Sequence, residues 1–286
     1  MKLSEANKAW VLLVPALLFL ALPLYGFLSA VRTSLQDQGA FTTKYYTTLF
    51  TEQSFYESLG YSIRITLIAT ALSLLLGVLI TRSFTPFIQR TAGKLSIWLP
   101  MLFPHFVWGY IVLLLFEQSG LISNLLNEIG FIPSTDAFPI VTNDQNGIGM
   151  ILTYVGKETP FVVLMLLPIY TKHDKGYRDL VETLGGGKWA AFKDAEWPWV
   201  FPALVETGII LFAFILSAYE VPFLLGATFP EMISVLTYDW FYSGDWNDRP
   251  LAFAAMVMTS VIIGIVSFIA FSVMNRKRML LTKGQD

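Results

Sequence analysis

Long apolar blocks constrain this chain most, because a helix of about 18–20 apolar residues is long enough to cross a lipid bilayer. Only 14% of the 286 residues are charged, whereas a soluble domain carries roughly 25%. The sequence therefore predicts an all-α integral membrane protein with about six transmembrane helices, in one domain covering residues 1–286. The spans are expected near residues 10–31, 62–81, 95–116, 148–170, 201–226 and 251–274.

Basic residues are unevenly distributed between the loops, and this bias predicts the orientation of the spans. Cytoplasmic loops of membrane proteins carry an excess of lysine and arginine. With both termini in the cytoplasm, most of the 19 basic residues fall on that side. They are Lys2, Lys8, Arg82, Arg90, Lys94, Lys172, Lys175, Arg178, Lys188, Lys193, Arg276, Lys277, Arg278 and Lys283. The first span lacks a small-residue cleavage site and is expected to be a retained helix.

Composition also excludes several classes of function. The net charge of −2 argues against a nucleic-acid partner. Without cysteine, and with only His105 and His173, a zinc site has too few ligands. Gly187-Lys188 does not form a phosphate-binding loop, because Glu182 and Trp189 occupy the positions that need glycine and serine or threonine. We therefore expect no cofactor and no enzymatic activity in this chain.

Two helices outside the spans are predicted on the extracytoplasmic side. Leu121, Leu125 and Ile129 recur at helical spacing, which indicates an amphipathic helix at the membrane interface. Apolar residues in the range 232–236 suggest a second short helix before the last span. The range 131–147 is rich in turn-forming residues and is predicted to be a loop.

The cytoplasmic loop at 171–200 contains the pattern with the clearest functional meaning. Leu180, Val181 and Leu184 share one face of a short predicted helix. Three glycines follow, including Gly185 and Gly186, and glycine permits the positive φ of a tight reversal.

A second short helix is predicted after these glycines. Trp189, Phe192 and Trp197 give it an aromatic side, and Pro198 is expected to end it. Large apolar residues on a cytoplasmic loop favour docking onto a partner protein.

This loop resembles the signature of the permease subunits of binding-protein-dependent ABC importers. The family pattern is Glu-Ala-Ala, three variable residues and Gly, followed by an aromatic residue and Leu-Pro. In this chain the matching positions are Asp179, Leu180, Val181, Gly185, Phe192 and Trp197-Pro198. Aspartate for glutamate and Leu-Val for Ala-Ala are departures that bear on the strength of the partner contact. Further family-like segments are Ser62–Thr66, Gly120–Ser123 and Thr159–Phe161.

The resemblance implies partners and a location. The loop would form coupling helices that dock on a separate ABC ATPase dimer, and ATP with Mg²⁺ would bind to that partner. The coupling residues would be Asp179, Leu180, Val181, Leu184, Gly185, Gly186, Phe192 and Pro198. Half of a pore would come from this chain and half from a second permease subunit, commonly a different one. An extracytoplasmic substrate-binding protein would deliver substrate to this multi-pass protein of a bacterial or archaeal inner membrane.

Charged residues inside the spans are the candidates for the substrate path. A charge in a span is costly and faces either a protein partner or a water-filled cavity. Lys157, Glu158 and Glu220 therefore have two explanations, structural pairing or pore lining. His105 is either a packed, hydrogen-bonded side chain or a pore residue, and Tyr219 and Phe223 flank Glu220.

The substrate is left open by the sequence. The run 219–226 resembles the branch of the family that serves polyamines, iron, thiamine and small oxyanions, and sugar importers are the alternative. A secondary transporter or channel is the competing class, but its inverted repeats and chains of buried ionisable residues are not evident.

Overall fold

The computed structural model describes residues 5–172, 176, 180, 181, 183–242 and 246–282. These residues form helices and their connections, with a hairpin of two-residue strands near the beginning of the chain. The helices of the first half are α1 (Glu5–Ser34), α2 (Lys44–Leu49), α3 (Gln53–Ile88), α4 (Thr91–Leu102), α5 (His105–Phe116) and α6 (Leu121–Glu128). Those of the second half are α7 (Ile148–Lys172), α8 (Lys188–Ala190), α9 (Trp197–Ser217), α10 (Glu220–Leu225), α11 (Ile233–Tyr242) and α12 (Arg249–Thr282).

Six helical stretches within the described residues are long and apolar enough to cross a membrane. They are Leu13–Ser34, Gln53–Ile88, His105–Glu128, Ile148–Thr171, Lys188–Ser217 and Arg249–Met274. The predicted all-α fold with six transmembrane helices is confirmed, and the cytoplasmic position of the termini stays a prediction. The helix predicted at 121–129 is present as α6, within the third candidate span, and its location at the membrane interface stays a prediction. The short helix expected before the last span is α11.

Packing divides the chain into two compact units. One combines 1–56 with 236–262, and the other combines 57–235 with 263–286. The prediction of a single domain is not tested by this division.

The smaller unit contains the hairpin, in which Gln36–Asp37 pairs antiparallel with Ala40–Phe41. Gln38 and Gly39 both have positive φ, as a two-residue hairpin turn requires.

Helix α7 lies at the centre of the larger unit. Its apolar window is 56% buried, against 39% or less for the other five spans. Met150, Tyr154 and Leu166 are fully buried, and α4, α5 and α9 all pack against this helix. At Gly77 of α3, an added Cβ would collide with a methyl carbon of Val162. The close approach of α3 to α7 therefore requires glycine there.

The predicted third span, 95–116, is broken into two helices. Helix α4 ends at Leu102, Phe103 is extended with φ −82° and ψ 136°, and α5 begins at His105. Proline disfavours the helical conformation in the residue before it. Pro104 therefore sets the break at Phe103.

The helix that leads into the predicted fifth span starts earlier than expected. Helix α8, a π-helical turn at Ala191–Glu196 and α9 form one continuous stretch. The expectation that Pro198 ends the second loop helix is wrong. A proline cannot donate the hydrogen bond to the carbonyl four positions earlier. Here the wider π turn comes directly before Trp197 and Pro198, and the helix continues past Pro198.

The predicted fifth span, 201–226, also contains a break. Helix α9 ends at Ser217, and Ala218 is extended with φ −68° and ψ 134°. Helix α10 then begins at Glu220. Glu220 is therefore the first residue of a short helix, and not an interior residue of a long one.

Candidate functional site

The glycine turn in the loop at 171–200 has the geometry of a helix C-terminus. Gly185 has φ +83°, and the Gly186 N–H donates to the Val181 carbonyl at 2.9 Å. A left-handed residue followed by this backward hydrogen bond is a Schellman motif. A Cβ on Gly186 would lie 2.6 Å from a Val181 methyl carbon, so both glycines are required by the turn.

Large apolar side chains around this turn are exposed. Leu184 is 80% exposed, and Leu180 and Trp189 are also exposed. We call these three residues the loop apolar surface. Asp179, the remaining matched position of the signature before the glycines, lies outside the described residues.

Phe192 and the π turn, in contrast, face the spans. Phe192 packs against the core of the larger unit, with Trp189 and Trp197 rings each 5.7 Å away. The Arg82 guanidinium lies 4.8 Å from the Phe192 ring. Phe192 therefore anchors the loop and contributes less surface to a partner.

An ion pair fixes the same turn to two span helices. The Arg82 Nε donates to Glu196 Oε2 at 2.9 Å, and Arg82 Nη2 donates to Oε1 at 3.3 Å. The Tyr170 hydroxyl donates to the same carboxylate at 3.5 Å. Because Glu196 is 6% exposed, its charge depends on these donors. The π turn is therefore bonded to both α3 and α7.

Lys157 is a buried residue of α7, and its side chain binds to the backbone at the break between α4 and α5. Its Nζ donates to the Pro100 carbonyl at 2.8 Å and to the Phe103 carbonyl at 2.6 Å. The Pro100 carbonyl lies four residues before Pro104, which has no N–H to donate to it. A cation at a helix C-terminus also complements the helix dipole. The structural explanation of Lys157 accounts for its position.

Glu158, the next residue, contacts the other side of the same break. Its Oε1 lies 2.8 Å from His105 Nε2, and the Glu158 side chain is only 8% exposed. His105 is the first residue of α5 and also packs against Phe214, with ring centroids 4.6 Å apart. The structure thus joins two of the predicted path residues, the buried Glu158 and the partly exposed His105, into one pair.

At the second break, between α9 and α10, a side-chain hydroxyl satisfies the free carbonyl. Pro222 of α10 leaves the Ala218 carbonyl without its helical donor. The Ser234 hydroxyl donates to that carbonyl at 2.7 Å. Helix α10 itself packs against α5, where Leu224 approaches the space beside Gly109.

Glu220, Tyr219 and Phe223 lie together at this second break. The Tyr219 and Phe223 rings stack with centroids 5.2 Å apart. Phe223 is 62% exposed, and Glu220 is exposed. Among the described residues, Glu220 has no ion pair. A free carboxylate beside exposed aromatic faces can attract a cation.

Sequence reasoning missed Arg82, Tyr170, Glu196 and Ser234 as positioning residues. Proline spacing carried a partial signal, since Pro104 and Pro222 identify which carbonyls lose their helical donors. No local pattern identifies the donors. Lys157 lies 57 residues after Pro100, and Ser234 lies 16 residues after Ala218.

Comparison with known proteins complements this geometry. The inner membrane ABC transporter permease protein YnjC of Escherichia coli (strain K12) is 25% identical over 237 residues, 81% of this chain. The molybdate/tungstate transport system permease protein WtpB of Thermococcus kodakarensis is 24% identical over 70% of this chain and 69% of its own length. The homologues of this chain are ABC transporter permeases.

The match covers unequal shares of these permeases. It spans 44% of YnjC and 58% of the sulfoquinovosyl glycerol transport system permease protein SmoG of Agrobacterium fabrum, so the chain spans about half the length of these two relatives. No protein-family model matches the chain.

Solved structures agree on the fold. The bacterial ABC transporter for import of the polysaccharide alginate matches with a TM-score of 0.76, 17% identity, and coverage of 94% of this chain and 95% of that chain. The methionine ABC transporter MetNI, in an inward-facing conformation, matches with a TM-score of 0.52, 12% identity, and coverage of 79% and 99%. The chain therefore has the fold of an ABC importer permease, and the predicted resemblance is confirmed.

Proposed function

We propose that this chain is the transmembrane permease subunit of an ATP-driven importer, forming half of a translocation pore and coupling it to a separate ATPase. Its homologues are ABC transporter permeases, and its fold matches that of importer permeases. The proposed location is a bacterial or archaeal inner membrane, with the loop at 171–200 in the cytoplasm. Its proposed partners are an ATPase dimer, a second permease subunit and an extracytoplasmic binding protein.

The loop apolar surface is the observation that carries this proposal. Leu180, Leu184 and Trp189 present exposed apolar area beyond the end of α7, where a cytoplasmic segment would otherwise be polar. Exposed apolar patches on a loop are typical of a protein-binding site. An ATPase that binds there would contact a turn that is held rigidly by Gly185 and by the Arg82–Glu196 pair.

This arrangement suits the transmission of movement from the loop to the spans. ATP and Mg²⁺ would bind to the partner ATPase, and closure of the ATPase dimer would displace the loop. Because Glu196 is bonded to Arg82 of α3 and to Tyr170 of α7, that displacement would reach both helices. ATP and a loaded binding protein would then bias the same conformational equilibrium of the permease.

Leu184→Asp tests the contact with the ATPase. A charge in an apolar interface should weaken co-purification of the ATPase with the permease in detergent by roughly tenfold or more, as for a residue central to an interface. Phe131→Asp is the matched control, because Phe131 is 78% exposed and precedes the other end of α7. Equal ATPase retention by the Leu184 variant and the control would remove the loop from the coupling mechanism.

Gly185→Val tests the geometry of the turn. Gly185 has φ +83°, where a β-branched residue is strained by about 1–3 kcal/mol. Gly187→Val is the matched control, since Gly187 has an ordinary φ of −78° and open space around its Cα. We expect transport to fall only for Gly185→Val, while both variants insert into the membrane. Transport that falls equally in both would show that the positive φ is not what matters.

The substrate is, by this proposal, a small polar solute such as a polyamine, a metal ion, thiamine or an oxyanion. Names of relatives such as WtpB and the molybdenum transport system permease protein ModB of Azotobacter vinelandii support the oxyanion class. The exposed carboxylate of Glu220 instead supports a cation. A sugar is the alternative, supported by the names of SmoG and of the alginate transporter. Transport assays with a binding protein of known ligand would decide between these classes.

A further inference from the structure

The turn between α3 and α4 carries two exposed cations that no acidic side chain neutralises. Arg90 is the residue that precedes α4, and Lys94 follows one helical turn later on the same face. Both side chains are exposed, and among the described residues neither forms an ion pair. The stretch 58–116 contains no aspartate or glutamate. Two unpaired cations in such a stretch favour an anionic partner.

The backbone of this turn adds charge of the same sign. A Cβ on Gly93 would collide with the Phe87 carbonyl, so the first turn of α4 lies directly against the end of α3. The Arg90 side chain does not cap the first N–H groups of α4, and such groups carry partial positive charge. The tight turn therefore holds two cations and a helix N-terminus next to one another.

An exposed apolar surface continues from the cations along α4. Trp98 lies one helical turn after Lys94 and is 57% exposed, and Leu95 and Leu102 are also exposed. Phe87, at the end of α3, is exposed beside this turn. Trp98 lies about 6 Å from Lys94 along the helix axis. This order of cation, tryptophan and leucine matches the headgroups, the boundary and the acyl chains of a membrane.

Contacts within the larger unit place the end of α3 beside the loop at 171–200. Arg82 of α3 donates to the Lys188 carbonyl at 3.5 Å and to the Glu196 carboxylate at 2.9 Å. Arg90 follows Arg82 by eight residues, at the turn that ends α3. With 171–200 in the cytoplasm, this turn lies at the cytoplasmic leaflet, whose anionic lipids attract basic segments next to a span.

We propose that Arg90 and Lys94 bind the phosphate of an anionic phospholipid of the cytoplasmic leaflet. The phosphodiester oxygens accept N–H groups from both side chains, and the acyl chains lie along Trp98 and Leu102. The proposal rests on the orientation within the function proposed above, and not on the ATPase or the substrate. A soluble phosphate fits less well, because it would leave the exposed apolar surface of α4 without an occupant.

The test is lipid binding by the full-length chain in detergent, measured by native mass spectrometry with phosphatidylglycerol and phosphatidylcholine as probes. We expect the unmodified chain to bind phosphatidylglycerol about tenfold more tightly, since each basic residue near an anionic lipid contributes to binding. R90Q/K94Q should lose this preference, and R90K/K94R, which keeps both charges, should retain it. Added salt should weaken the preference of the unmodified chain.

K188Q/K193Q is the matched control for R90Q/K94Q. Lys188 and Lys193 are exposed cations of the loop beside the same end of α3, and their replacement removes the same amount of charge. This variant should keep the preference for phosphatidylglycerol. W98A should bind both lipids several-fold more weakly without a change in preference, because it removes apolar contact area and no charge.

Two outcomes would overturn the lipid site. One is an equal loss of preference in R90Q/K94Q and K188Q/K193Q, or an unchanged preference in R90Q/K94Q. The other is binding of inorganic phosphate or of glycerophosphoglycerol, the headgroup without acyl chains, as tightly as the lipid. A reporter that is active only in the cytoplasm, fused after Gly186, tests the orientation separately. A silent reporter would contradict the proposed function, whichever lipid the chain binds.

Discussion

The two helix breaks of the larger unit solve the same chemical problem in different ways. At the first break, Pro104 leaves the Pro100 carbonyl without its helical donor. At the second break, Pro222 leaves the Ala218 carbonyl without its donor. The first carbonyl accepts a hydrogen bond from the buried ammonium of Lys157. The second accepts one from the neutral hydroxyl of Ser234. One break is therefore held by charge, and the other is not.

This difference explains which intramembrane charges are available for function. Lys157 and Glu158 are both buried and bonded to the two sides of the first break, so their charges are used in holding α4 and α5 together. Glu220 stands at the second break, where the hydroxyl already satisfies the backbone, and its carboxylate is exposed. Among the described residues, the Glu220 carboxylate is therefore not used in an ion pair that holds the helices together.

Lys157→Met should produce the largest effect on stability. It retains the apolar side chain but leaves the Pro100 and Phe103 carbonyls without the Lys157 donor, and hydrogen bonds to charged groups contribute about 1.5–3 kcal/mol each. We expect the free energy of unfolding in detergent to fall by about 3 kcal/mol or more. Lys44→Met is the control, since Lys44 is exposed and its ion pair with Asp37 lies at the surface, where loss of such a pair costs about 0–1 kcal/mol. Similar losses in both variants would contradict a charge-held break.

Ser234→Ala should have a smaller effect at the second break. It removes one neutral hydrogen bond to Ala218, so unfolding should become easier by about 1 kcal/mol. Ser260→Ala is the control, because within the described parts of the chain the Ser260 hydroxyl bonds inside its own helix, to Met256. If Ser234→Ala lowers the free energy of unfolding as much as Lys157→Met does, the two breaks do not differ as described.

Glu220→Gln should change stability least, by less than about 0.5 kcal/mol, because an exposed side chain without a described ion pair is replaced by one of the same shape. If the charge guides a cationic solute, transport should fall about tenfold, equivalent to about 1.4 kcal/mol. Glu128→Gln, an exposed carboxylate at α6, should transport normally. Unchanged transport of the identified substrate in Glu220→Gln would show that this charge is not part of the path and would remove its support for a cationic substrate.

Local patterns predicted the features that depend on neighbours in sequence. The spans follow from runs of apolar residues, α6 from the spacing of Leu121 and Leu125, and the loop turn from Gly185, which has the expected positive φ. Pro198 was misjudged, because a proline next to a π turn is compatible with a continuing helix. The hairpin at Gln36–Phe41 was not predicted either, since strands of two residues are too short for an alternating pattern.

The sequence by itself determined that this chain spans a membrane with six apolar helical stretches and which loop presents apolar residues, because hydropathy and glycine conformations are properties of short segments. Only the tertiary structure decided which charges are structural. Lys157 meets Pro100 across 57 residues, and Arg82 meets Glu196 across 114. Such pairs form because an apolar interior penalises any unsatisfied polar group, and the partner that satisfies each group is chosen by how the helices pack.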